Sequence, residues 1–144
     1  MNLLLASVLA AGELVCEFPG PYQRSLIATL AGEAPRGGQM LVYEDVGPQS
    51  ARVISSSSVG RKAVRILATE NAVHLVEPVA ASVRVTTLTG CERWKTTRGA
   101  ETCVRFAARH AWHFDSSVYR DPDAAFARLP GGAAAGVCEP WSLD

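Results

Sequence analysis

Few residues in this chain are equipped for chemistry. Four cysteines stand at positions 16, 91, 103 and 138. An even count in a small exported chain reads as two disulfides, and with no Cys-x-x-Cys pair a zinc site is not expected. Three pairings are possible. Cys91 and Cys103 flank Glu92 to Gly99, which looks like a hairpin tip, while Cys16 and Cys138 lie near the ends of the mature chain. The expected bridges are therefore 91–103 and 16–138. The chain-entropy treatment gives the short bridge about 3 kcal/mol and the long one about 5 kcal/mol.

His110, Trp112 and Phe114 recur at period two in the segment 102–114, so on a strand they share one face. A histidine on such an apolar face is most often a core residue with satisfied hydrogen bonds. Its functional reading is the polar group of a cavity, with Trp112 and Phe114 beside it, that takes a small apolar ligand. Trp94 sits at the tip of the stapled hairpin, where an exposed aromatic would meet a protein partner. His110 and His113 point to opposite faces of a strand, so no metal is expected. The alternative is a small hydrolase with His110 or His113 as base beside Asp115 or a nearby serine. No Gly-x-Ser-x-Gly elbow supports it, and no phosphate loop or dinucleotide fingerprint appears. No cofactor is expected.

The elements that must position these residues read as strands, because β-branched residues recur at period two between Gly, Pro, Ser and Asn clusters. Candidate strands cover 24–31, 39–46, 50–56, 61–69, 72–77, 82–90 and 102–114, with a short C-terminal helix from Asp121 to Leu129 ahead of Pro130. Short connections make neighbours antiparallel. The expected fold is all-β: a small antiparallel meander barrel or sandwich of about seven strands with one short helix. Alternation assigns Val104, Phe106, Ala108, His110, Trp112 and Phe114 to the core face, with Val64, Ile66, Val83 and Val85, and turns Arg65, Arg84, Arg105 and Arg109 outward. Such an arginine face is most simply solvated; stacked as a column, it could hold a carboxylate or sulfate. One conflict arises. If Cys91 lies directly opposite Cys103, Val83 and Val85 fall on the face of Arg109 unless a bulge, best placed at Gly90, shifts the register.

Composition bounds the partners. The 144 residues carry 14 basic and 14 acidic side chains, with a pI near 6.8, so the long-range attraction that nucleic acid or an anionic bilayer would exploit is missing. Leu3 to Gly12 is an apolar run ending in small residues, too short to span a bilayer, which reads as an export signal over 1–12 ahead of one domain at 13–144. The rival is a first buried strand or helix over 3–15. A non-enzymatic binding or interaction module, periplasmic or secreted, is the expected function, with a small molecule or a protein as partner.

Cys16-Glu17-Phe18, Val76-Glu77-Pro78, the run Ser82 to Thr87, Ala108-Arg109-His110 and Gly136-Val137-Cys138 together resemble an uncharacterised family of small exported bacterial proteins. The similarity spans most of the mature chain. It implies export, a compact β domain and a bridge between the outer cysteines, and brings no activity or site. Cys91 and Cys103 depart from the family pattern as an added staple.

Overall fold

The computed structural model describes residues 3–19, 39–55, 60–79, 82–114 and 132–141. Helix α1 (Leu3–Ala11) is followed by eight strands: β1 (Leu14–Phe18), β2 (Gln39–Glu44), β3 (Ser50–Ser55), β4 (Lys62–Ala68), β5 (Val73–Val79), β6 (Ser82–Thr97), β7 (Ala100–Phe114) and β8 (Gly132–Pro140). Each strand pairs antiparallel with the next, and β8 returns to β1, closing a barrel. The all-β expectation holds, with eight strands in place of about seven. The expected strand 24–31 and helix 121–129 lie outside the described residues.

Closure explains why one side-chain face of most of the strands is largely apolar. Eight strands enclose a space that side chains alone can fill. Leu14, Phe18, Leu41, Val53, Val73, Leu75, Leu88 and Phe106 fill it, each almost wholly excluded from solvent. Helix α1 ends at Gly12, whose φ of 71° suits the left-handed position that closes a helix without a Cβ clash. It lies against β6 and β7 with Leu4, Ser7 and Val8 buried. The Ser7 hydroxyl accepts a 2.9 Å hydrogen bond from the buried Cys103 N–H, satisfying a donor that would otherwise be stranded.

Two face assignments are corrected by the register. Glu77 pairs with Arg84, Leu75 with Thr86 and Val73 with Leu88, while Arg84 faces Trp112, Thr86 faces His110 and Leu88 faces Ala108. Arg84, Thr86 and Leu88 therefore point inward. Val83 and Val85 lie half-buried on the outer face with Arg109, and Arg84 turns in. The register does shift between Leu88 and Gly90, then twice more before Trp94. Those bulges lie beyond Val83 and Val85 and leave their face unchanged. The same irregularity switches the face of β7, so that Cys103 is buried and Val104 only half-buried.

The barrel seam makes one position of β8 obligatory. Gly136 lies where β8 crosses β1, and an added Cβ there would collide with the Glu17 carbonyl oxygen and come within 2.6 Å of Phe18 Cδ1. The first contact is with backbone, so no rotamer change relieves it. Gly136→Ala is expected to lower stability by about 1–3 kcal/mol, as overpacking does. Urea titration against the parent chain checks this. An unchanged midpoint would mean that the seam opens freely.

Candidate functional site

The strands of the barrel run 5 to 9 residues except β6 and β7, with 16 and 15. β5 begins opposite Leu88 and β8 last pairs with β7 at Phe106. Residues 89–105 thus continue past the rim as a two-stranded ribbon. A ribbon of this kind is marginal alone in water, and three features stiffen it. The Cys91–Cys103 disulfide crosses it, with a Cα–Cα distance of 5.8 Å. Helix α1 backs one face through Ser7. Arg105 bonds Glu92 on its own ribbon at 2.9 Å and Glu139 of β8 at 2.8 Å, tying ribbon to barrel.

The ribbon presents Trp94, directly opposite Cys103 in register and 42% exposed. Between the ribbon and α1 lies a groove of about 440 Å3, bordered by Leu3, Leu4, Cys91 and Trp94, with Glu70 and Asn71 at its polar side. Leu3 is itself exposed. Arg93, Lys95 and Arg98 are exposed on the same ribbon and enter no ion pair among the described residues. An apolar anchor flanked by three basic side chains is an arrangement suited to an acidic protein surface.

At the other end of β7 the barrel holds a polar chain. His110 is 1% exposed. Its Nδ1 lies 2.9 Å from Thr86 Oγ1, which lies 2.6 Å from the Tyr43 hydroxyl. A hydroxyl can donate once and accept as well, so Thr86 can join both neighbours. The Phe18 ring sits 5.2 Å from the His110 ring, centroid to centroid. Burial, with the charge of Arg84 as a smaller cause, pulls the His110 pKa down to about 4, so the ring is neutral near pH 7. Glu77, also buried, is pushed above the usual carboxyl range by burial, against the opposing pull of Arg84 and Lys62.

Of the residues singled out in the sequence, the structure puts His110 in the interior, on the inward face with Phe106 and Ala108. Trp112 occupies the β7 position opposite Arg84 and Gly132, and Phe114 the position opposite Ser82. Trp94 stands on the separate ribbon, so the four do not form one site. Both expected disulfides are present. His113 takes the β7 position opposite Val83 in register, and Asp115 is outside the described residues. A hydrolytic base must reach solvent and substrate, and His110 is enclosed.

Tyr43, Thr86 and Glu77 were not anticipated, and Arg84 was expected on the outer face. The signal for Thr86 and Arg84 was the parity conflict between Val83, Val85 and the cysteines, which pointed to an inverted face. No protein-family model, curated protein or solved structure matches the chain.

Proposed function

We propose that the protein is a non-enzymatic interaction module that works outside the reducing cytosol and grips an acidic protein partner with the β6–β7 ribbon, Trp94 as its anchor. One observation carries the reading: the longest described strands of the barrel leave it together, are stapled by Cys91–Cys103, and expose a tryptophan beside Arg93, Lys95 and Arg98, which enter no ion pair among the described residues. Order in the free state matters energetically, because a stapled ribbon has little conformational entropy left to lose on binding. Two disulfides support a periplasmic or secreted setting. Among the described residues no helix is long and apolar enough to cross a membrane.

Photo-crosslinking in the producing cell tests this. With a photoreactive residue in place of Trp94, a discrete protein adduct is expected that fades at raised salt and when Arg93 and Lys95 are replaced by Glu. The same residue at Leu67, an exposed apolar position on β4, should give none. Equal labelling at both positions would remove the reading. Export by a leader at residues 1–12 is the proposed route, and it makes a demand: cleavage after Gly12 would strip Ser7 and Val8 from the ribbon. The mass of the recovered chain shows whether α1 is retained.

A further inference from the structure

The two disulfides differ in what surrounds them. Cys16 and Cys138 are both wholly excluded from solvent where β1 meets β8, and Cys103 is equally enclosed. Cys91 is half-buried, packs against the core from its edge, and borders the groove with Leu3, Leu4, Gly90 and Trp94. Of the four cysteines, it is the one with surface in reach of solvent.

A disulfide is opened by a thiolate attacking one of its sulfurs, so exposed bridges are labile and enclosed ones resist. Here access is one-sided. Cys103 is covered by helix α1: its N–H donates to the Ser7 hydroxyl at 2.9 Å, and Ser7 and Val8 are themselves buried. A nucleophile therefore meets Cys91, from the groove. Arg93, Lys95 and Arg98 stand exposed on the same ribbon, and neighbouring cations favour the thiolate form of a thiol that approaches them.

We propose that Cys91 is a thiol-exchange site, at which a small anionic thiol entering the groove forms a mixed disulfide and opens the ribbon staple while the barrel seam stays closed. The thiolate attacks Cys91 Sγ. A bond forms between these two sulfurs, the Cys91–Cys103 bond breaks, and its electron pair leaves on Cys103 Sγ, which takes a proton from water. A second thiol attacks the sulfur of the first, releases Cys91 as a free thiol and departs as the oxidised dimer. Until then Cys103, kept in place beneath α1, can expel the adduct and restore the bridge. A two-stranded ribbon is marginal without support, so the display of Trp94 depends on the state of this one bond. The exchange needs no protein partner, and its failure is distinct from failure of the ribbon as a binding surface.

Glutathione, added to the oxidised full-length protein at neutral pH and quenched with iodoacetamide in denaturant, tests the site by peptide mass mapping. The expected product carries glutathione on Cys91 and an alkylated Cys103, with Cys16–Cys138 intact. Replacing Arg93 and Lys95 together by Glu should slow the glutathione reaction about tenfold, as charge reversal weakens steered encounter, and leave the reaction with neutral 2-mercaptoethanol little changed. An adduct on Cys103 in place of Cys91, the two bridges opening in parallel, or neither opening in the folded protein would overturn the site. A charge reversal that changes the rates of both thiols alike, or of neither, would overturn the assignment to an anionic thiol.

Discussion

Replacing Cys16 and Cys138 together by Ala is expected to lower the stability of the oxidised protein by about 5 kcal/mol, from the entropy of releasing so long a loop. The two residues are 122 apart in sequence, sit opposite each other in register with Cα atoms 4.0 Å apart, and are fully buried. Their bond does more than shorten the unfolded chain. β1 has only five residues, and it is the strand through which β8 closes the barrel. Without the bond the seam rests on a short ladder, and the unfolded chain recovers nearly all its freedom. Natural domains carry about 5–15 kcal/mol in total, so the variant should be near its limit at room temperature. Urea unfolding of oxidised parent and variant gives the number directly.

The inner bridge provides an internal comparison. Cys91 and Cys103 are 12 apart, which corresponds to about 3 kcal/mol. Their replacement should leave the barrel folded and loosen mainly the ribbon, read as faster amide exchange at residues 89–105. A seam variant that loses less than the ribbon variant would contradict the closure argument.

How far the fold could be read in advance depended on what each strand had to do locally. β2 to β7 were visible because Val, Ile, Thr and Leu alternate there with polar residues. β1 was hidden because its five residues follow directly on an apolar N-terminal run that reads equally well as a leader. β8 was hidden because Ala133, Ala134, Ala135 and Gly136 have no preference for strands; what selects them is tight packing against β1, a contact from the far end of the chain. The inverted face of β6 has a similar origin. Val83-Arg84-Val85 looks like an inward pair around an outward charge, but the register is imposed by β5 and β7, and it encloses Arg84 beside Glu77. Sequence spacing did locate Trp94 on a stapled tip, because a short loop between two cysteines is a local matter. It identified His110 by period two but could not supply Thr86 and Tyr43, which arrive from other strands.

Acid should weaken the native state through His110, and the sign follows from its environment. The ring is held at a pKa of about 4, chiefly by burial, against an ordinary value of 6.5. Between those values the unfolded chain binds a proton that the folded chain refuses, so stability is complete above pH 6.5 and falls as the pH drops toward 4, by about 3 kcal/mol in all. Glu77 has the opposite sign. Its carboxyl is raised above 4.5, so its contribution is present in acid and is lost as the pH rises through the folded value. The two can be separated with His110→Gln, which keeps a neutral polar group beside Thr86 and removes the titration. Urea unfolding of parent and variant across the window should show the parent losing about 3 kcal/mol more than the variant. Parallel curves would mean that the ring is protonated inside the barrel, and would break the account in which the Tyr43–Thr86–His110 chain is a neutral, enclosed part of the core.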